Sequence, residues 1–258
     1  MSASLQDIVA ALDTELRTTD VPDYPGAMNG LQVANDGTVN RVAVAVDGSL
    51  ATIKAAIAIR ADLLLLHHGL FWGGAQPLVG VAYDKYNAIL SHGLAVYASH
   101  LPLDLHPVHG NNAGLARALG LTPSGGFARF KNVDIGLRGE TNESTTDLVE
   151  RVRTVVSKFG GRVRVSIPVE NRTTTRWAIC SGGGASSESL REARDYGIDT
   201  LIVGEGPHHT TVESAELGIP IVFAGHYATE TLGVQSLGAF VEQRFGVPWT
   251  FLHLPTGS

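Results

Sequence analysis

Two spacings of apolar residues alternate along the chain. Leu5, Ile8, Val9, Leu12 and Leu16 fall on one face at helical spacing and predict an amphipathic helix at the N-terminus. Residues 41–46 (RVAVAV) form a strand-like run, and Asp47-Gly48-Ser49 supplies turn and N-cap chemistry before a helix over 50–60. Residues 62–66 (DLLLL) predict a buried strand running into His67. A helix near 84–92 and a strand over 94–99, ending at His100, follow. Later positions predict a strand (131–137), a helix (145–159), a strand (162–167), a last helix (231–245) and a closing strand (249–254). The acidic-then-basic run from Asp147 to Lys158 suits the helix dipole, with Gly160-Gly161 as its C-cap and 168–175 as a surface turn. Strand–helix–strand alternation with short turns means an α/β protein whose strands are at least partly parallel.

The chain also repeats itself. RVAVAVDGS…ADLLLLHH (41–68) answers to RWAICSGGG…IDTLIVGE (176–205), which sets Asp62 on Asp199 and His67-His68 on Gly204-Glu205. HGLAVYASHLPLD answers to LGIPIVFAGHYATE, setting His100 on His226 and Asp104 on Glu230. Both copies end in His-x-x-x-acid just after an apolar strand. Strand–turn–helix units can look alike without a common origin; read as an internal duplication, the pattern predicts two similar α/β lobes, residues 1–125 and 126–258, each a mixed sheet with helices packed on it. The C-terminal segment would pack back on the first lobe, and a metal site would lie between the lobes.

Composition narrows the class. With 44% hydrophobic and 17% charged residues, 258 residues make a globular chain with a real core. A net charge of −6 counts against a broad nucleic-acid footprint. The single cysteine, Cys180, excludes an internal disulfide framework and a Cys-rich zinc site, and it reads as core, not nucleophile. Leu63–Leu66 is far short of the ~20 apolar residues a membrane helix needs. The N-terminal stretch lacks the charged-then-apolar order of a signal peptide, so a cytoplasmic protein without a membrane partner is expected.

Ten histidines matter by where they fall. His67 and His68 sit at the end of a strand, where open α/β sheets place ligands. Neighbours on an extended chain point to opposite sides, so the doublet would serve two metal ions more naturally than chelate one. Alone, it reads equally as a capped strand end. His226 and Glu230 are four apart and share a face if the chain turns helical there, with Asp104 in the equivalent place of the other lobe. Singly these acids read as helix caps. Together, three histidines and two acids ending strands in both copies favour a two-metal site, with carboxylates offsetting the charge repulsion.

NGLQV (29–33), LLLLHHGLFW (63–72), SHLPLDLHPVHGNNAGLARALG (99–120), VGEGPHH (203–209) and AGHYATE (224–230) resemble the Nif-three-like dinuclear metal centre hexameric proteins. Members of that family are often called GTP cyclohydrolase 1 type 2 homologues. The resemblance runs from about Leu5 to Pro255 and departs at Gly69, where the family usually has proline. It implies metal ligands His67, His68, Asp104, His226 and Glu230. His68 and Asp104 would hold one ion, His67 and His226 the other, and Glu230 would bridge them. It also implies a toroidal homohexamer built from trimers.

His100 and Glu205 are the candidate proton-transfer groups, His100 also as a partner of a ligand. His208 and His209 open a helix, His106 and His109 lie in a loop before an N-cap Asn112, and His92 and His253 read as structural. Ser181-Gly182-Gly183-Gly184 reads as a tight turn more readily than as a phosphate cradle, since no Gly-x-x-x-x-Gly-Lys follows. The expected function is a metal-dependent hydrolase acting through activated water, on GTP as the family's label implies or on another small nucleotide or phosphoester. The alternative is a non-catalytic metal-handling, delivery or regulatory adaptor protein. Two divalent ions per subunit, from among Zn, Fe, Mn and Ni, suit mixed nitrogen and oxygen donors.

Overall fold

The computed structural model describes residues 2–257. In chain order the first elements are β1 (Ala3–Ser4), α1 (Leu5–Leu16), β2 (Gly30–Val33), β3 (Thr38–Val39), β4 (Val42–Asp47), α2 (Leu50–Ala58), β5 (Leu63–His68), α3 (Val81–Ser91), β6 (Ala95–Ala98) and α4 (Leu101–Asp104). Then come α5 (Asn111–Ala118), β7 (Pro123–Phe130), β8 (Val133–Ser144), α6 (Thr145–Ser157), β9 (Arg164–Val165), β10 (Thr173–Cys180), α7 (Ser187–Asp195), β11 (Thr200–Val203), α8 (His208–Leu217), β12 (Ile221–Phe223) and α9 (His226–Thr229). The chain closes with α10 (Thr231–Phe245) and β13 (Trp249–Phe251). Packing divides it into two units. The first holds residues up to Leu103 with Gly233–Leu254, the second Asp104–Leu232 with the residues from Pro255.

The first unit carries a five-stranded sheet in the order β13-β4-β5-β6-β2. The β13, β4, β5 and β6 strands run parallel, and β2 pairs antiparallel with β6. Parallel neighbours require crossovers, which α2 and α3 supply. The apolar runs of β4 and β5 are continuous because both faces are covered: Val42–Val46 and Leu63–His67 are all buried. Ala43, Ala45, Leu64, Leu66, Val96 and Ala98 pack on Ile53 and Ala56 of α2 and on Ile89 of α3. Side chains alternate, so His68 follows Leu64 and Leu66 while His67 follows Leu65 to the other side. Ser49 caps α2 by accepting the Thr52 N–H. In α1, Leu5, Ile8, Leu12 and Leu16 are buried, as their spacing predicts.

The second unit has a six-stranded sheet, β7-β8-β10-β11-β12-β9. Its three central strands are parallel, joined through α7 and α8, and β7, β8 and β9 are antiparallel additions. Trp177, Ile179, Ile202 and Val222 pack with Leu148, Val152 and Val156 of α6. The alternate residues Ala178, Cys180, Leu201 and Val203 pack with Leu190 and Ala193 of α7. Mixed α/β sheets with helices packed on them are therefore the architecture of both units.

Three local expectations are corrected. Residues 173–175, read as part of a turn, begin β10, because Thr174 is buried with its hydroxyl 2.9 Å from Thr145 Oγ1 and 2.8 Å from Thr200 Oγ1. The strand predicted at 131–137 is one arm of a longer β7–β8 hairpin. Asn112 is not an N-cap: Gly110 holds that position and Asn112 lies inside α5. Among the described residues no helix is long and apolar enough to cross a membrane.

Candidate metal centre

Each unit collects its polar side chains where parallel strands end, the usual ligand position of open α/β sheets. In the first unit, β5 ends in His67-His68 and β6 delivers Ser99-His100. The three rings gather closely: centroids are 4.7 Å apart for His67–His68, 5.0 Å for His67–His100 and 5.7 Å for His68–His100. Each offers a ring nitrogen within 4.8 Å of the others.

Their orientation is fixed from behind. His67 Nδ1 lies 3.0 Å from the Ser99 carbonyl oxygen, His68 Nδ1 2.8 Å from Asp47 Oδ1, and His100 Nδ1 2.9 Å from Asp23 Oδ1. An Nδ1 this close to an oxygen carries the proton, so in a neutral ring the lone pair is on Nε2. Asp47 reaches His68 because the two are register partners at the ends of β4 and β5. Asp23 also accepts from the Leu101 N–H and from Asn29 Nδ2. Burial works against its charge, but these donors, His100 first, hold its carboxyl below the usual range.

In the second unit, β12 ends at Phe223 and Gly225 leads into α9, whose first residue is His226. His226 Nδ1 is 2.8 Å from Glu205 Oε1, and its Nε2 is 3.2 Å from Glu230 Oε1. Burial opposes protonation of this ring, yet Glu230 and Glu205 outweigh it and push the pKa up to about 9. Glu230 is buried against the glycine-rich turn after β10, where Gly182 has φ +61. A Cβ there would collide with Glu230 Oε1 and approach His226 Nε2 to 3.2 Å. That turn is thus a close-packing surface for the carboxylate. Gly182 N donates to Thr229 Oγ1 at 3.0 Å and fixes the turn to α9.

Asp104, also buried, receives hydrogen bonds at Oδ1 from Asn111 Nδ2 (2.9 Å) and Ser181 Oγ (3.0 Å). Asn112 accepts the Ser181 N–H and donates to the Asp104 carbonyl, tying turn, α5 and acid together. Asp23 and Asn111 had no individual mark in the sequence, and Ser181, read there as part of a tight turn, holds Asp104. Asp47, read there as a turn residue, holds His68. Burial raises the Cys180 thiol pKa, with Asp104 and Glu230 adding to it, as suits a core residue and not a nucleophile.

Other histidines differ in kind. His106 Nδ1 accepts the Val108 and His109 N–H groups, so its proton sits on Nε2. His92 Nδ1 bonds the Ala88 carbonyl one helical turn back. His208 and His209 open α8 and are exposed. At Gly69, the Gln32 amide occupies the space a side chain would take, and Gln32 Oε1 accepts the Leu70 N–H.

His67, His68 and His100 in the first unit, and His226 with the carboxylates of Asp104 and Glu230 in the second, are donors of the kind that divalent ions of nitrogen–oxygen preference take. The sequence profile of Duf34/NIF3 (NGG1p interacting factor 3) matches residues 3–256. A protein of Deinococcus radiodurans called GTP cyclohydrolase 1 type 2 homolog is 39% identical over 253 residues, covering 97% of this chain and 93% of its own. A Halobacterium salinarum protein of the same name is 39% identical, covering 98% and 99%. A solved structure from Thermus thermophilus superposes with a TM-score of 0.84 at 34% identity, covering 99% of this chain and 100% of its own. The protein ybgI, of unknown function, gives 0.87 at 29%, covering 99% and 100%.

Proposed function

The chain belongs to the Duf34/NIF3 family, and from that premise we propose that it binds two divalent metal ions and acts as a metal-dependent hydrolase. His67, His68, Asp104, His226 and Glu230 would hold the ions. The observation carrying this reading is the uniform pinning of Nδ1 in His67, His68 and His226, which directs Nε2 of each ring as a ligand. Divalent ions, when bound, lower the pKa of water and stabilise developing negative charge. Glu205 orients His226 and takes up its proton at Oε1, and His100, backed by Asp23, donates or accepts one at Nε2.

The relatives' name makes GTP the first substrate to test, followed by small phosphoesters. The chain twice follows parallel strands in the same order, β4-α2-β5-α3-β6 and β10-α7-β11-α8-β12, and a His-x-x-x-acid segment comes after each run. This supports an internal duplication as the origin of the two donor sets. In this reading the protein assembles as a homohexamer in the cytoplasm.

Turnover of GTP and of a phosphoester panel should depend on added metal and fall at least about a hundredfold in Glu230→Ala and His100→Ala with the fold intact. Stoichiometric metal uptake with no turnover on any substrate would instead support a metal-handling or adaptor protein.

A further inference from the structure

In the second unit, β11 and β12 end side by side at Gly204-Glu205 and Gly225-His226. The edge strand β9 runs antiparallel to β12 and sets Arg164 opposite Phe223. The Arg164 guanidinium stands 3.9 Å over the Phe223 ring, with Nη1 3.4 Å from Thr211 Oγ1. Stacking on an aromatic face holds a guanidinium in place and leaves its edge for a ligand. Arg162 lies two residues earlier. Among the described residues no hydrogen bond or ion pair engages Arg162, and no carboxylate pairs with Arg164.

Both arginines line a cavity of about 280 Å³ whose other walls include Glu205, Phe223 and a ring of glycines. A Cβ at Gly161 would run into Ala228, and one at Gly206 into Ala185, so these walls are bare backbone. The one carboxylate in the lining, Glu205, is already paired with His226. Two cations without a carboxylate partner, facing a backbone-walled cavity at the carboxyl ends of parallel strands, make a place for an anion.

We propose that this cavity is an oxyanion subsite that takes the phosphoryl group of a phosphorylated small molecule, gripped by Arg162 and Arg164. It deepens the hydrolase reading and rests on it for the catalytic consequence. A phosphoryl group held here leaves the rest of its molecule at the strand end that carries His226. The binding of the anion itself needs no metal.

The test is titration of inorganic phosphate into chelator-treated full-length protein by calorimetry at constant ionic strength, with chloride as the reference anion. Saturable binding is expected, weakened about tenfold in Arg164→Gln and lost in the Arg162→Gln/Arg164→Gln pair. Arg164→Lys should bind more weakly than wild type, because an ammonium lacks the bidentate fork. Both arginines are exposed, so an unchanged unfolding midpoint checks the fold. No saturable binding to wild type, or undiminished binding to the double variant, overturns the proposal. The metal reading fails separately, if protein loaded with metal retains no divalent ion.

Discussion

A histidine ring can donate from one nitrogen and ligate from the other, and whatever sits at Nδ1 decides which. The Ser99 carbonyl, Asp47, Asp23 and Glu205 make that choice for His67, His68, His100 and His226. His106, with Nδ1 accepting backbone N–H groups, shows the opposite outcome. Replacing Asp47 by Asn should weaken metal retention about 10–100-fold with the fold unchanged, read by competition against a chelator. His226 makes a second, signed prediction. Its pKa stands near 9 against an ordinary 6.5, so its proton stabilises the metal-free fold fully below 6.5, and that contribution disappears as pH rises through about 9. An NMR titration of metal-free protein should find this midpoint near 9 and see it fall in Glu205→Gln. The histidines were legible in the sequence because they follow apolar strands. Asp23 and Asn111 were not, because their partners are His100, 77 residues away, and Asp104, met across a helix start.

Elements position these residues through a few tight contacts. Gly182 is the tightest, since its backbone conformation and its missing side chain both admit Glu230. Gly182→Ala should cost about 1–3 kcal/mol in denaturant unfolding and lower metal retention, whereas a simple loop glycine would change neither appreciably. At the β8–α6 junction, Arg151 pairs with Glu143 and holds its carboxyl below the usual range, against a smaller burial effect. That stabilisation is present above pH about 4.5 and fades as pH falls below it. Glu143→Gln should cost at most about 1 kcal/mol, since Arg151 is substantially exposed. Apolar spacing located β4, β5, β6 and α10, because continuous runs and helical stripes reflect burial directly. It missed the start of β10, where a buried threonine is satisfied by neighbouring hydroxyls, and β7, whose glycines and half-exposed positions carry little pattern.

At the scale of the whole molecule, the first unit leaves apolar side chains in water on and beside α3: Val79 is 71% exposed and Leu90 68%, with Leu78 and Val81 close behind. Of these, Leu78, Val79 and Val81 are near neighbours in the chain, as a covered face would have them. The homohexamer reading predicts a solution mass of six chains by light scattering, reduced in Val79→Asp/Val81→Asp. A monomeric wild type would contradict it. Three parallel strands follow one another in the same order in each sheet, and a His-x-x-x-acid segment comes after each run, which is why the two stretches look alike in sequence. Two divalent ions bound per chain are the central expectation. Anomalous scattering from crystals of the metal-loaded protein tests it directly. It should locate two divalent ions per chain, roughly 3.5–4 Å apart, ligated through Nε2 of His67, His68 and His226 with Asp104 and Glu230. One ion held by His67, His68 and His100 alone, or none, would contradict it.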